Sequence, residues 1–325
     1  MSKCMKDTFG RNIDYLRISI TQRCNLACTY CMPKEISEEK EDVLTYDEII
    51  ELVEIFAQSG IRKIKLTGGE PLVRKNVSVL VKNLLKVKGI EEVTLTTNGI
   101  LLDAQVEDLY AAGIRHINVS LDTLDEEIYH RITGQYGVSR VWKGILHALS
   151  LGMHIKINVV AVKERTRKEI IELVNLAKEY PLHVRFIELM PIGMGKQQKR
   201  LEEEVVRSWI KNAYGELKEV HKSLGNGPCS YYALEGFQGY IGFISALSHE
   251  FCANCSRLRL TADGFLKPCL QYSYGCDLKE PLKKHDVEEV RHRIANMVYH
   301  KPKSHAFLSE DHKDKETKPM SKIGG

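Results

Sequence analysis

The sequence predicts an α/β fold: an open or closed β/α barrel of six strand–helix units over residues 1–190, then a smaller domain over 191–325. Three observations carry this expectation. Short alternating runs and longer amphipathic runs follow one another in regular order, which calls for parallel strands joined by right-handed crossovers. Within the short runs, polar residues recur at every second position between Ile, Val and Leu, so each strand has one polar face. From about Pro191 that order stops, and a turn-rich segment, Gly225-Asn226-Gly227-Pro228, opens a different pattern.

The elements follow in order. Tyr15 to Ile20 alternates Tyr, Leu, Arg, Ile, Ser, Ile and is the first strand. Thr45-Tyr46-Asp47-Glu48 has the form of a capping box and opens a helix through Phe56, closed near Ser59-Gly60. Further strands are expected at Arg62 to Leu66, Glu92 to Thr96, Arg115 to Ser120, His154 to Val160 and His183 to Leu189. Helices are expected near Val77 to Lys86, Ala104 to Ala111, Ser139 to Leu151 and Lys168 to Tyr180. An amphipathic stretch, Glu203 to Tyr214, leads into the second domain. There, Asp263-Gly264 between two apolar-alternating runs predicts a hairpin.

Helices cover the outside of such a barrel and need apolar partners, so the polar face of each strand points into the lumen. That face carries Arg17 and Ser19; Lys63, Lys65 and Thr67; Thr94 and Thr96; His116, Asn118 and Ser120; Lys156 and Asn158; His183 and Arg185. An ordinary eight-stranded barrel fills its interior with Val, Ile and Leu. This one is wet and cationic. Several Lys and Arg side chains aimed into one cavity are costly without an anion among them, and a polyphosphate ligand suits them. The alternative for any single one is a charged tip that snorkels to the rim or pairs with a carboxylate.

The 325 residues carry a net charge of +4 and are 43% hydrophobic. This mild basicity is spread along the chain, which favours an anionic ligand over a nucleic-acid track, and no nucleic-acid module is visible. No apolar run approaches a membrane span, and MSKCMKDTFGRN lacks the apolar core of a signal peptide. A cytoplasmic protein without membrane contact is expected. Of nine cysteines, six are bunched as Cys24, Cys28, Cys31 and Cys252, Cys255, Cys269, which reads as two sets of reduced metal ligands. Cys4, Cys229 and Cys276 stand outside the bunches and read as small hydrophobes.

The loops after the strands hold the chemistry of a β/α barrel. The first is Cys24-Asn25-Leu26-Ala27-Cys28-Thr29-Tyr30-Cys31. Zinc and a disulfide fit three thiols poorly, whereas an iron–sulfur cube held by three thiolates keeps one iron open for a small molecule. Next come Thr67-Gly68-Gly69-Glu70-Pro71, whose glycines allow close backbone approach to a ligand, then Thr97-Asn98-Gly99, Leu121-Asp122 and Met190-Pro191-Ile192-Gly193. Met190 taken alone reads as a core residue. Folding back at Asp263-Gly264 brings Cys269 toward Cys252 and Cys255, again three thiols without a fourth, unless Cys276 completes a zinc site. Cys255, Arg257 and Arg259 share a strand face, and guanidinium forks suit phosphate oxygens and purine acceptor edges.

The spacing Cys-x3-Cys-x-aromatic-Cys, with Tyr30 as the aromatic, and Thr-Gly-Gly-Glu-Pro resemble the motifs of radical S-adenosylmethionine (SAM) enzymes. From Phe9-Gly10-Arg11 to Gly324-Gly325 the chain resembles the GTP 3′,8-cyclases of molybdenum cofactor biosynthesis. Thr-Thr-Asn-Gly, Asn-Val-Ser-Leu-Asp, Arg-Phe-Ile-Glu-Leu-Met, Cys-x2-Cys-x13-Cys with Arg-Leu-Arg, and the double-glycine end carry that resemblance. It implies a six-unit partial barrel whose open side is closed by a smaller C-terminal α+β domain, with two 4Fe-4S clusters facing each other. By the same resemblance Cys24, Cys28 and Cys31 hold the SAM cluster, and Tyr30, Gly69, Ser120 and Met190 line the SAM site. Cys252, Cys255 and Cys269 hold the second cluster, whose open iron takes guanine. Arg17, Lys65, Thr96, Lys156, Arg257 and Arg259 match GTP contacts, with Arg185 beside them.

The implied reaction cleaves SAM to methionine and 5′-deoxyadenosine. A hydrogen atom leaves C3′ of GTP, and C3′ joins C8 of guanine to give 3′,8-cyclo-7,8-dihydro-GTP. An electron donor, a homodimer and hand-over to cyclic pyranopterin monophosphate synthase are implied with it, as is a mobile tail, Gly324 and Gly325, reaching into the site. Three positions depart from the pattern: Lys65 stands where relatives often carry Arg, Ser256 replaces a common Asn, and the segment Lys34 to Val43 is shorter than in some. Two other readings stay open here. One is a radical SAM peptide-modifying maturase with an auxiliary cluster, which would usually carry further C-terminal cysteines. The other is a zinc-stabilised binding protein without catalysis.

Overall fold

A computed structural model describes residues 5–31, 42–222, 224–225, 227–248, 251–307 and 315–324. The chain opens with a short antiparallel pair, β1 (Met5–Lys6) and β2 (Asn12–Ile13), and then alternates. In order come β3 (Tyr15–Ser19), α1 (Tyr46–Ser59), β4 (Lys63–Thr67), α2 (Val77–Leu84), β5 (Glu92–Thr97), α3 (Leu102–Ala112), β6 (His116–Ser120), α4 (Glu126–Thr133), α5 (Val138–Ser150), β7 (His154–Ala161), α6 (Arg167–Glu179) and β8 (His183–Glu188). The expected barrel elements hold to within three residues at each end. Helix α4 was not among them. Asp125 caps it, but its eight residues are too few for a clear helical period.

Local chemistry fixes the ends. Thr45 Oγ1 accepts from Glu48 N while the Glu48 carboxylate accepts from Thr45 N, and Gly60 closes α1 at φ 118° in the left-handed region. Thr166 and Glu169 repeat the capping box at α6. Strands β3 to β8 pair in chain order and all in parallel. Their apolar positions, among them Leu16, Ile18, Ile64, Leu66, Leu95, Ile117 and Ile157, are fully buried under the helices. Each such side chain contributes about 1.5–3 kcal/mol by leaving water, so the outer layer holds the sheet and leaves its inner face for polar groups.

The remaining chain supplies α7 (Glu203–Tyr214), β9 (Lys218–Val220), β10 (Ser230–Ala233), β11 (Ile241–Ile244), β12 (Arg257–Leu260), β13 (Phe265–Lys267), β14 (Cys276–Asp277), α8 (Lys279–Lys283), α9 (Val287–Tyr299) and α10 (Met320–Ile323). It extends the barrel sheet at both edges. β11 lies parallel beside β8 and β12 parallel beside β3, giving one twelve-stranded sheet in the order β14-β13-β12-β3-β4-β5-β6-β7-β8-β11-β10-β9. The hairpin of β12 and β13 turns at Gly264 with φ +89°, as Asp263-Gly264 predicts. Among the described residues, no helix is long and apolar enough to cross a membrane.

Candidate active site

The loops after β3 and β4 are laid backbone against backbone. Gly69 N donates to Thr21 O at 2.8 Å and Glu70 N to Arg23 O at 2.8 Å. A Cβ on Gly69 would stand 2.3 Å from the Arg23 carbonyl oxygen, and one on Gly68 would stand 2.7 Å from that of Thr21. The paired glycines therefore let the second loop seat itself on the segment that leads into Cys24. Glu70 is buried, and its carboxylate accepts from Leu72 N, Thr97 Oγ1 and Asn98 N at 3.0, 2.7 and 2.6 Å. Burial outweighs those bonds and raises it to about 7. Asn98 continues the chain of contacts, donating through Nδ2 to Asn25 Oδ1 at 2.8 Å and to Cys24 Sγ at 3.8 Å. Tyr30 is tethered from the other side, its hydroxyl donating to Asp122 Oδ2 at 2.6 Å while Val160 N holds Asp122 Oδ1 at 2.7 Å.

These loops open into a cavity of about 340 Å³. Cys24, Cys28 and Cys31 line it together with Cys252, Cys255 and Cys269, so the two thiol sets share one space. Tyr30, Gly69, Ser120 and Met190 line it too, as do Arg17, Lys65, Thr96, Arg185, Arg257 and Arg259. Lys156 is the exception. It shares the face of Asn158 on β7, but its Nζ donates to the Leu224 carbonyl, away from the lining. Arg185 is held by Asn158, whose Oδ1 accepts from Nε at 3.0 Å and Nη2 at 2.5 Å. Neither Cys229 nor Cys276 lines the cavity, and Cys276 Sγ donates to the Arg293 carbonyl. Cys4 and Gly325 lie outside the described residues, as does nearly all of the segment from Lys34 to Val43. Gly324 is described: its carbonyl accepts from Arg259 Nη1 at 2.8 Å, and it packs on Ser19 and Thr67.

The electrostatics differ between the ends. Burial raises Cys24, lifts Cys28 well above the usual thiol range and, with Cys24 beside it, carries Cys31 to about 12. At Cys255 burial also raises the thiol, but Lys301 and then Arg257 outweigh it and bring it down to about 6. Between the thiol sets, burial, followed by the charges of Arg185 and Arg17, pulls Lys65 well below the usual lysine range. Lys156 falls to about 8 through burial and then Arg185. A bound anion would relieve this mutual repulsion. Three thiols around one cavity suit a cube, where each thiolate holds a different iron.

Residues 18–177 match the Radical SAM superfamily, and residues 182–307 match Molybdenum Cofactor Synthesis C. Over 99% of its length the chain is 43% identical to the GTP 3′,8-cyclase of Clostridium perfringens (strain 13 / Type A) and 44% identical to that of Moorella thermoacetica, covering 100% of each. The chain belongs to the GTP 3′,8-cyclase family of radical SAM proteins. Membership brings SAM and an iron–sulfur cluster as cofactors, and the peptide-maturase and zinc-binding readings are not favoured. Streptococcus suis SuiB bound to S-adenosylmethionine aligns with a TM-score of 0.59 at 18% identity, over 80% of this chain and 61% of that one. SuiB bound to its precursor peptide SuiA aligns at 0.61, also 18% identical, over 81% of this chain and 61% of that one. At that identity the likeness speaks for the fold alone.

Several groups that shape the site carried no clear signal in the sequence. Asn98 and Asp122 stand in loops the sequence marks, yet their roles as tethers depend on partners far along the chain. His305 and Phe307 also line the cavity, from a stretch without regular structure that no periodicity singles out.

Proposed function

We propose that the chain is a GTP 3′,8-cyclase, converting GTP to (8S)-3′,8-cyclo-7,8-dihydroguanosine 5′-triphosphate with SAM cleaved to methionine and 5′-deoxyadenosine. The observation that carries this reading is the single cavity with a three-thiol set at each end and a cationic strand face between them. Cys24, Cys28 and Cys31 would hold one 4Fe-4S cluster, with Tyr30, Gly69, Ser120 and Met190 around SAM. Cys252, Cys255 and Cys269 would hold a second. When bound, the first cluster and SAM supply the one-electron chemistry that removes a hydrogen atom from the ribose.

The chain's own residues do the rest. Arg17, Lys65 and Arg185 receive the triphosphate, Arg185 held ready by Asn158. Thr96 lies on the same face, and Lys156 joins them by leaving the Leu224 carbonyl. Arg257 and Arg259 bind from the hairpin, and the second thiol set fixes the base, so that C3′ stays near C8. The Gly324 carbonyl on Arg259 places the tail against this substrate-binding arginine, and enclosure keeps stray hydrogen donors out. An external electron donor, a homodimer, a cytoplasmic location and delivery of product to cyclic pyranopterin monophosphate synthase complete the reading.

The test is anaerobic turnover of cluster-reconstituted protein with SAM, dithionite and GTP, with ATP as the control. GTP-dependent 5′-deoxyadenosine together with a cyclised product is expected. SAM cleavage indifferent to GTP would overturn the assignment.

A further inference from the structure

Just after α9 the chain carries a buried lysine, Lys301, 3% exposed. Its Nζ donates to the Arg257 carbonyl at 2.8 Å and to the Pro268 carbonyl at 2.6 Å. Those carbonyls belong to the two arms of the hairpin: Arg257 opens β12 two residues after Cys255, and Pro268 directly precedes Cys269. One ammonium thus ties together the two arms that present these thiols. Behind it stands Arg11, 8% exposed, whose guanidinium donates to the carbonyls of Pro302 and Lys303 at 2.6 and 3.0 Å and to that of Cys252 at 2.8 Å. The segment from Lys301 to Lys303 is therefore strapped to all three parts of the second thiol set.

The two cations are neutralised differently. Arg11 has a carboxylate, Asp7 Oδ2, 2.5 Å from Nε. Lys301 has carbonyl oxygens; burial lowers its pKa, and Cys255 and then Cys269 work against that burial. A buried ammonium is costly unless an anion stands beside it. Here the groups placed to answer it are the sulfurs of the second set, two residues before Arg257 and one after Pro268.

We propose that Lys301 is a positioning residue for an iron–sulfur centre on Cys252, Cys255 and Cys269, fixing the spacing of the hairpin arms and holding a positive charge against the sulfurs so that the centre is easier to reduce. The inference rests on the reading that these cysteines hold a cluster. Reduction adds one negative charge to the centre, and a nearby buried cation stabilises that state more than the oxidised one.

The experiment uses the full chain carrying Cys24→Ala, Cys28→Ala and Cys31→Ala, reconstituted with iron and sulfide, so that the second set alone gives the signal. Midpoints come from redox titration followed by electron paramagnetic resonance. Lys301→Gln removes the charge and keeps N–H donors for both carbonyls. It should disfavour the reduced state at least tenfold, about 59 mV for a one-electron couple. Lys301→Met should fall at least as far, and Lys301→Arg should stay near the parent. If Lys301→Met holds no iron, Lys301→Gln still decides. An unchanged midpoint in Lys301→Gln, or an equal fall in Lys301→Arg, overturns the inference. A parent that binds no iron overturns the two-cluster reading and this inference with it.

Discussion

Gly69→Ala puts the loop contact beneath the first thiol set under direct strain. The new Cβ would lie 2.3 Å from Arg23 O and 2.6 Å from Gln22 O, well inside the 3.0 Å below which real Cβ contacts are essentially not found. Both neighbours are backbone, so no side chain can swing away, and the two loops must part by more than half an ångström. The bonds from Gly69 N to Thr21 O and from Glu70 N to Arg23 O, 2.8 Å each, flank the clash and stretch with it. Overpacking costs about 1–3 kcal/mol and each of the two bonds weakened in a buried place about 1 kcal/mol, so the expected loss is about 3–5 kcal/mol. Gly236→Ala is the comparison: at φ +76° with open space around it, it carries only the left-handed penalty of about 1–2 kcal/mol. Thermal unfolding by circular dichroism should place the Tm of Gly69→Ala lower by about 6 °C or more, taking about 2 °C per kcal/mol for a chain of this size. Iron retained after anaerobic reconstitution should fall too, because the strained segment leads into Cys24. A Tm within about 2 °C of the parent with full iron content would refute the loop-contact argument. Full iron with loss of SAM binding alone would return Gly69 to a role in ligand clearance.

The ion pair between Lys267 and Glu316 is almost wholly buried, at 2% and 3% side-chain exposure, so Glu316→Gln leaves an uncompensated ammonium and should lower stability by about 3–5 kcal/mol in urea unfolding. Lys267→Met with Glu316→Gln should recover part of that loss. GTP affinity should fall as pH rises from 7 to 9, because Lys156, at about 8, loses the charge that a phosphate favours, and Lys65 is lowered in the same direction. Calorimetry of Lys65→Arg/Lys156→Arg should show a flatter profile, and an unchanged slope would sink the assignment. Deleting Gly324 and Gly325 removes the carbonyl on Arg259 and should abolish cyclisation while sparing SAM binding, whereas unchanged turnover would leave the tail without a role.

What was legible in the sequence follows from periodicity. Arg17, Lys65 and Arg185 could be placed inward because a strand's alternate positions face opposite ways, whatever its partners. The joining of β11 to β8 and β12 to β3 could not, since four-residue strands such as Ile241–Ile244 carry no record of whom they pair with. Helix α9 went unseen although Asp286 caps it and Glu288 and Glu289 fill its first turn. Gly68 and Gly69 line the cavity, as a loop that approaches a ligand would, but their second close partner, the backbone of Thr21 to Arg23, is not marked in the sequence. Lys301 left no trace, and Arg11 stood out only within Phe9-Gly10-Arg11, without its contacts. Their bonds go to carbonyl oxygens 44 and 241 residues away, and every residue has a carbonyl.

The pairing of β12 with β3 shows why both halves of the chain are needed for one site. In register, Lys267 stands opposite Arg259, Arg259 opposite Arg17, and Arg17 opposite Lys65, a lateral row of four cations across four adjacent strands. Like charges about 5 Å apart at an effective dielectric of 20 repel by roughly 3 kcal/mol, so no such row is selected for stability. Lys267 is answered by Glu316, and Arg259 is met by the Gly324 carbonyl. Arg259, Arg17 and Lys65 line the cavity, where a bound anion would offset their mutual repulsion. Slipping β12 by one residue would turn Arg257 and Arg259 to the apolar face and bring Leu258 and Leu260 into the cavity, which both faces resist. The hydrophobic pattern of the hairpin therefore holds the register that keeps the cationic row intact, and the row in turn makes a polyanion the ligand that this sheet accommodates at least cost.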